Sequence, residues 1–296
     1  MSTPITDPEI LDFIAEVGRF YPEDAHDLPM AEQRRRYDAM AAHFRAKRPE
    51  GLAVADGRLA GRPCRIYGSE SAVRVLFLHG GGFCLGGLDS HDDVAVEIAV
   101  ETGCQVTALD YRLAPEHRHP AGFEDALSAA MAMTGPLILC GDSAGGMLAA
   151  AVAWALRGEE RLRGQVLIYP ALGGLAHDLP SYRREAEAPL LTTAEVMACQ
   201  EIRAGGTLPQ NDPSFAPLLA EDWSGIAPAF LSAAEIDPLA DDAGAYAANL
   251  RAAGGRGEAV IEAGLPHMWL RARHRSRRAE AAFARILEAI RLFAKR

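Results

Sequence analysis

Two glycine-rich segments constrain this chain most, and each directly follows a short apolar run. Residues 141–145 read Gly-Asp-Ser-Ala-Gly after the run at 136–140, and residues 79–83 read His-Gly-Gly-Gly-Phe after the run at 73–78. The form G-x-S-x-G at the end of a strand predicts a sharp strand-to-helix turn that exposes a serine. A loop of the HGGG type supplies backbone N–H groups that stabilise a tetrahedral oxyanion. The two segments together predict a nucleophile and its electrophilic partner, and hence acyl transfer to water.

Apolar runs alternate with helical patterns along most of the chain. The pattern predicts six strands, at residues 73–78, 105–109, 137–140, 165–169, 229–233 and 258–262. Helices are predicted at 91–102, 122–133, 144–157, 239–253 and 273–295, and a hairpin at 52–55 and 62–67. Such alternation is typical of a mostly parallel central sheet flanked by helices on both faces. With the turn at Ser143, it predicts the α/β-hydrolase fold.

Two regions fall outside this alternation. Residues 1–50 are predicted to be helical, with Asp7 as the N-cap and Pro8 at the first position of one helix, and a second helix at about 30–47. Residues 172–226 are too long for a simple crossover and contain a predicted helix at 193–203 among proline-rich loops. An insertion of this size is usually functional and often a lid. The catalytic domain is then expected to comprise residues 51–171 and 227–296.

A serine hydroxyl needs an adjacent base, and that base needs an orienting acid. In the α/β-hydrolase fold these groups follow one another in the order Ser, acid, His. Asp237 ends a predicted strand and opens a helix, which places it at the carboxyl edge of the sheet. His267 lies in a loop after the last predicted strand. The sequence therefore predicts Ser143, Asp237 and His267 as the catalytic residues.

Other assignments remain open at this stage. Asp237 could act as a helix N-cap alone, and His267 could be a loop histidine without a chemical role. The alternative acids are Glu235, Asp241 and Asp242, and the one later histidine is His274.

The predicted oxyanion hole has three backbone donors. The N–H of Ala144 follows the nucleophile at the start of a helix, whose dipole favours negative charge, and Gly81 and Gly82 supply two more. By analogy with measured losses, each donor contributes a factor of roughly 10²–10³ in rate. We expect His79 to hold the loop in shape, and Cys84 beside it to be a packed small residue rather than a reactive thiol.

Composition excludes several classes of function. The chain has 296 residues and a net charge of −10 at pH 7, which disfavours nucleic acid and anionic membranes as partners. His117 and His119 have no third ligand near them in the sequence, so no metal site is expected. The arginine-rich stretch at 271–278 is interpreted as the solvated start of the last helix, with an acidic partner as the alternative.

Targeting signals and cysteine usage favour the cytoplasm. The five cysteines form no C-x-x-C pair, and their odd number argues for a reducing compartment. The N-terminus lacks the basic and apolar regions of a secretory signal, and no run of 18 apolar residues predicts a membrane span.

Five segments together closely resemble the hormone-sensitive-lipase-like (family IV) bacterial esterases. The likeness extends from about residue 70 to the end and lies in residues 79–83, 110–117, 141–146, 212–219 and 237–239. It implies hydrolysis of short- to medium-chain carboxylic esters without metal or cofactor, and a cap built from residues 1–50 and 172–226. The family's triad falls on Ser143, Asp237 and His267, and its oxyanion donors on Gly81, Gly82 and Ala144. The resemblance also suggests that Arg112 pairs with Glu116 to brace the site.

One departure concerns the residues after the expected catalytic histidine. The family commonly has Gly-Phe there, whereas this chain has Met268 and Trp269. Trp269 is expected either to reshape the alcohol side of the pocket or to pack under the last helix.

Three functions are compatible with these observations. The leading interpretation is a cytoplasmic carboxylesterase that acts on a small-molecule ester as a monomer or homodimer. The alternatives are an amidase, for example one like an arylformamidase, with the same triad, and a non-catalytic ligand-binding relative. An apolar acyl chain or aromatic alcohol would suit apolar residues of the insertion such as Leu190, Leu191 and Met197.

Overall fold

The structure is a computed structural model, which describes residues 2–173, 176 and 178–296. Within these residues one sheet has the strand order β1-β2-β4-β3-β5-β6-β7-β8. The strands are β1 Val54–Leu59, β2 Arg62–Tyr67, β3 Arg74–Leu78, β4 Gln105–Leu109, β5 Leu137–Asp142, β6 Leu162–Ile168, β7 Ala229–Ile236 and β8 Gly257–Pro266. The hairpin β1–β2 and the pair β2–β4 are antiparallel, and the other neighbours are parallel.

Helices cover both faces of the sheet. They are α1 Pro8–Phe20, α2 Met30–Phe44, α3 Asp92–Thr102, α4 Ala121–Ala132, α5 Ala144–Ala155, α6 Ser181–Arg184, α7 Thr193–Ala204, α8 Ala240–Ala252 and α9 Arg277–Ala294. Alternate side chains of a strand point to opposite faces. Accordingly, Val75 and Phe77 of β3 belong to the core shared with α1, α2, α3 and α9, whereas Leu76 and Leu78 belong to the core shared with α4, α5 and α8.

These elements confirm the predicted α/β-hydrolase fold. Most elements begin and end within a few residues of the prediction. Several strands, β8 most of all, are longer than predicted, and α6 was not predicted. The predicted cap at Asp7 is present, since its carboxylate accepts a hydrogen bond from the N–H of Glu9. No helix in the described part of the chain combines the length and apolar character needed to cross a bilayer.

The arginine-rich stretch at 271–278 differs from the expectation. Helix α9 begins at Arg277, after the cap residue Ser276. Arg271 and Arg273 precede it and are 7% and 4% exposed, so the interpretation of this stretch as a solvated helix start was wrong for them. Their buried charges have partners: Arg273 pairs with Asp93 and a neighbouring glutamate of α3, and Arg271 donates to the Ser90 carbonyl and to a tyrosine hydroxyl of α2.

Candidate active site

The turn between β5 and α5 holds Ser143 in a backbone conformation that L-residues rarely adopt, with φ 51° and ψ −118°. The backbone approaches so closely at two neighbouring positions that only glycine fits there. A Cβ on Gly145 would lie 2.0 Å from the Leu78 carbonyl oxygen, and one on Gly141 would lie 2.5 Å from the backbone of Gly145. Because β5 and β3 are paired, this turn and the loop after β3 leave the sheet side by side.

Ser143, Asp237 and His267 meet at the carboxyl edge of the sheet. The Ser143 hydroxyl lies 2.9 Å from Nε2 of His267, and Nδ1 of His267 lies 2.6 Å from Oδ2 of Asp237. Asp237 is fully buried and follows β7, and His267 is 4% exposed and follows β8. The other Asp237 oxygen accepts a hydrogen bond from the N–H of Leu239 at 2.9 Å. Asp237 therefore both orients the imidazole and satisfies a backbone donor before α8.

The alternative residues have other partners. Glu235 accepts from the N–H of Gly264, and Asp241 accepts from the N–H of Ser181. Asp242 is buried against the hydroxyl of Tyr182, and His274 pairs with a glutamate of α3. None of these four contacts Ser143 among the described residues.

The glycine loop after β3 is a tight turn beside Ser143. Gly81, Gly82 and Phe83 have φ of 122°, 58° and 65°, so three consecutive residues lie in the region that favours glycine. The N–H of Leu85 closes the turn on the Gly81 carbonyl at 2.9 Å. Within the described part of the chain, the N–H groups of Gly81, Gly82 and Ala144 donate to no protein acceptor, which leaves three donors for a ligand oxygen.

Asp142, which precedes the nucleophile, fixes the start of this loop. One oxygen of its buried carboxylate accepts from the N–H of Gly80 at 2.8 Å, and the other lies 3.4 Å from Nε2 of His91. Burial opposes ionisation, but His91, the charge of Arg271 and the N–H of Gly80 together outweigh it and lower the pKa of Asp142 to about 2. A fixed carboxylate thus links the turn that bears Ser143 to the glycine loop after β3.

The contacts of His79 indicate a structural role for this side chain. Its ring stacks on Tyr111 with centroids 4.3 Å apart, and the Tyr111 hydroxyl donates to the His79 carbonyl at 2.6 Å. Burial, assisted by His91, lowers the pKa of His79 to about 4. The neutral, stacked ring supports the loop from behind.

The sequence left the role of Trp269 open, and the structure places it in the core. Trp269 is fully buried, and its ring meets Tyr169 edge-on at 5.6 Å. Tyr169 in turn lies against the ring of His267 at 4.6 Å. Trp269 therefore packs behind Tyr169 and His267.

The expected pair of Arg112 and Glu116 does not form. Arg112 donates to Asp125 of α4 at 2.8 Å, and Glu116 accepts from Arg34 of α2 at 2.7 Å. The segment is not helical, so residues four apart do not face each other, and each finds a partner on a different helix.

Helix α7 of the insertion contacts the glycine loop after β3. Arg203 is buried between the rings of Phe83 and Phe215, 4.0 and 4.4 Å from their centroids, and donates to the Phe215 carbonyl at 2.9 Å. Burial lowers the pKa of Arg203 to about 9. One turn earlier, Cys199 is so close to Gly82 that a Cβ on this glycine would lie 2.6 Å from its sulfur. The insertion thus contacts the loop directly.

The remaining metal and thiol candidates have local explanations. His119 pairs with Asp212 at 2.9 Å, and no group of three or more His, Cys, Asp or Glu side chains within the described residues could hold a metal ion. All five cysteines are free thiols. Burial raises the pKa of Cys84 to about 11 and that of Cys199 to about 12.

Sequence reasoning missed Asp142, His91 and Tyr169. Asp142 could have been noticed, because a carboxylate directly before the nucleophile must lie at the buried end of a strand. The partners of Asp142 are 62 and 51 residues away, and no local pattern connects them.

Comparison with known proteins agrees with this geometry. The model of the alpha/beta hydrolase fold matches residues 75–271. An ethyl acetate hydrolase of Pseudomonas putida is 32% identical over 289 residues, 90% of this chain and 91% of that protein. The carboxylesterase NlhH of Mycobacterium tuberculosis is 38% identical over 213 residues, 65% of this chain and 66% of that protein. The crystal structure of an esterase from the bacterial hormone-sensitive lipase family superposes with a TM-score of 0.87 at 29% identity, over 98% of this chain and 99% of that one.

Fold and site together define a serine hydrolase of the α/β-hydrolase class. Within that class, the chain belongs to the hormone-sensitive-lipase-like carboxylesterases, as its sequence motifs predicted.

Proposed function

We propose that this carboxylesterase hydrolyses short- to medium-chain carboxylic esters through an acyl-enzyme on Ser143. The main support is the continuous hydrogen-bonded chain from the Ser143 hydroxyl through His267 to the buried Asp237. Its position beside a loop of available N–H groups matches what acyl transfer requires.

In the first half of the reaction, the Ser143 oxygen attacks the ester carbonyl carbon, and its proton passes to Nε2 of His267. The carbonyl oxygen becomes an oxyanion, which the N–H groups of Gly81, Gly82 and Ala144 stabilise. When the intermediate collapses, the C–O bond to the leaving group breaks. His267 returns its proton to the leaving oxygen, and the alcohol departs.

In the second half, water replaces the alcohol. The water oxygen attacks the acyl carbon while Nε2 of His267 takes a proton from the water. The bond between the acyl carbon and the Ser143 oxygen then breaks, His267 passes this proton to the Ser143 oxygen, and the acid leaves. Asp237 keeps the second imidazole proton on Nδ1 and stabilises the imidazolium in both halves. Full burial of Asp237 strengthens that interaction because little water competes for the carboxylate.

We propose that residues 1–50 and 172–226 form the cap over this edge of the sheet, and residues 51–171 and 227–296 the catalytic domain. Contacts of α2 and α7 with the oxyanion loop support this division. Leu190, Leu191 and Met197 of the insertion are partly or largely exposed and would provide an apolar surface for an acyl chain.

We also propose a class of partner and a cellular compartment for this esterase. We expect a small-molecule ester, no nucleic acid and no stable membrane association, because the net charge of −10 disfavours polyanions. Five free thiols favour the cytoplasm. A monomer or homodimer would suit a site to which one chain contributes every residue named above.

The test is hydrolysis of p-nitrophenyl esters from acetate to palmitate, with the matching acetanilide, by the wild type and by Ser143→Ala. We expect the highest kcat/KM on short chains, a decline towards palmitate, and no activity above background in Ser143→Ala. Preference for the anilide would favour an amidase with the same triad. No turnover by folded protein on any ester would refute the proposal.

A further inference from the structure

One side chain of α2 connects the N-terminal region to the back of the oxyanion loop. The Nε of Arg34 donates to the Cys84 carbonyl at 2.8 Å, and its Nη2 donates to the Ala114 carbonyl at 3.0 Å. The same guanidinium forms a two-point contact with the Glu116 carboxylate, at 2.9 and 2.7 Å. Its side chain is 29% exposed, so the contact is partly shielded from water.

The loop needs external support because its backbone is strained. Phe83 has φ 65° although it is not glycine, and it follows two glycines that also have positive φ. A non-glycine residue in such a region is strained and persists only where its surroundings hold it. The oxyanion donors of Gly81 and Gly82 lie on this strained segment.

Two contacts hold the loop at its two ends. At the start, the carboxylate of Asp142 accepts from the N–H of Gly80. At the end, Arg34 binds the carbonyl of Cys84. The N–H of Ala114 also donates to the Phe83 carbonyl at 2.9 Å, so Arg34 joins the two segments that this bond connects.

A planar guanidinium suits this position. It presents donors in a fixed fork that matches a carboxylate at two points while its remaining N–H groups reach carbonyls. A lysine ammonium has three donors around one point and cannot reproduce this geometry. The neighbouring arginine of the helix, Arg35, provides a contrast: it is 69% exposed and bonds to Glu32 of its own helix.

We propose that Arg34 is a positioning residue for the reaction, which holds the Cys84 and Ala114 carbonyls so that the N–H groups of Gly81 and Gly82 point at the developing oxyanion. This inference rests on the proposed function and extends it. Arg34 lies outside the residues 75–271 that match the family model, in a region expected only to cover the substrate. The N-terminal helix would then contribute to stabilisation of the transition state as well as to the cap.

The proposal predicts a specific kinetic pattern for Arg34→Ala. Loss of one oxyanion donor costs about 10²–10³ in kcat, and a misplacement of about 1 Å costs about 10²-fold. We therefore expect kcat to fall about 10- to 100-fold, with KM changed less than about twofold. Arg34→Lys should be intermediate, and added guanidinium ion should restore part of the activity of Arg34→Ala. The matched control Arg35→Ala should keep wild-type kcat and KM.

A boronic acid probe separates positioning from general loosening. The Ser143 oxygen forms a bond to the boron of n-butylboronic acid and passes its proton to Nε2 of His267. The boron becomes a tetrahedral anion with an oxygen directed at the loop. For Arg34→Ala, the inhibition constant should rise by the same factor by which kcat/KM falls, because both report stabilisation of a tetrahedral anion. Glu116→Gln, which leaves both carbonyl contacts available to Arg34, should change either quantity by less than about threefold.

Several outcomes would overturn the inference. One is a change in KM with kcat unaltered, another is an unchanged boronate inhibition constant, and a third is an equal loss in Arg35→Ala. Far-ultraviolet circular dichroism checks that each variant is folded. If Arg34→Ala does not fold, Arg34→Lys decides the question, since wild-type kinetics and boronate inhibition for this variant would refute the proposal. Failure of the proposed function is a separate result, because the wild type itself would then lack esterase activity.

Discussion

The strained backbone at Ser143 leads to a prediction about stability that does not depend on any substrate. Ser143 has φ 51° and ψ −118°, a region that is essentially confined to glycine. Replacing Ser143 with alanine removes the hydroxyl but keeps the Cβ, whereas replacing it with glycine removes both. Both variants lose the hydrogen bond to His267, so the difference between them isolates the cost of a Cβ in this conformation.

The magnitude follows from two opposing terms. A non-glycine residue in such a region costs about 1–3 kcal/mol. Glycine loses more backbone entropy on folding, which costs about 0.5–1 kcal/mol relative to alanine. The balance leaves Ser143→Gly more stable than Ser143→Ala by about 1 kcal/mol. For a chain of 296 residues this corresponds to a difference in Tm of about 2 °C.

The assay is urea unfolding of the two variants, followed by circular dichroism, with Ala248→Gly as the control. Ala248 is exposed in the middle of α8, so there the same replacement should destabilise the protein by about 1 kcal/mol. The sign of the alanine-to-glycine change should thus reverse between the two positions. A Ser143→Ala variant as stable as Ser143→Gly, or more stable, would show that the turn does not store strain.

Three further predictions concern the surroundings of the nucleophile. Gly145→Ala should prevent folding or destabilise the protein by more than about 4 kcal/mol, because the new Cβ would meet the Leu78 carbonyl oxygen at 2.0 Å. The control is Gly18→Ala on α1, where the new Cβ enters open space and should stabilise the protein by about 0.5–1 kcal/mol. Asp142→Asn should lower stability above about pH 4, and the difference from the wild type should shrink as pH falls towards 2, since the folded-state pKa of Asp142 is depressed to about 2. A difference in stability that does not change with pH between these values would contradict the depressed pKa of Asp142. Finally, the pKa of Cys84 is about 11, so roughly one thousandth of this thiol is thiolate at about pH 8. Ellman's reagent should therefore label the unfolded chain quickly but leave the activity of the native protein intact. Rapid inactivation of the native protein would contradict the burial of this thiol.

Local sequence patterns predict much of the fold and of the candidate site. The apolar runs before residues 79–83 and 141–145 correspond to β3 and β5, because parallel strands buried on both faces need continuous apolar side chains. The grouping of Ser143, Asp237 and His267 could be predicted because the fold fixes their order along the chain, and the structure brings all three within hydrogen-bonding distance.

Long-range polar contacts could not be predicted in this way. Arg34 and Glu116 are 82 residues apart, and a single sequence contains no periodic signal that would pair them. The resemblance suggested that Arg112 pairs with Glu116, but the segment is an irregular loop and each side chain meets a partner on a different helix. Arg273 was placed at the surface because of its charge, yet it is buried against Asp93, 180 residues away. Charge predicts exposure only when no partner of opposite charge lies in the core.

The most direct test of the account is covalent labelling of Ser143. An alkyl fluorophosphonate reacts with an activated serine: the serine oxygen bonds to phosphorus, and fluoride leaves. We expect intact-mass spectrometry to find one adduct per chain, located on Ser143 by peptide mapping. Ser143→Ala should not react, and His267→Ala should react at least about 10²-fold more slowly because it lacks the general base. Labelling at another serine, or equal rates for the wild type and His267→Ala, would contradict the assignment of Ser143 as a nucleophile activated by His267.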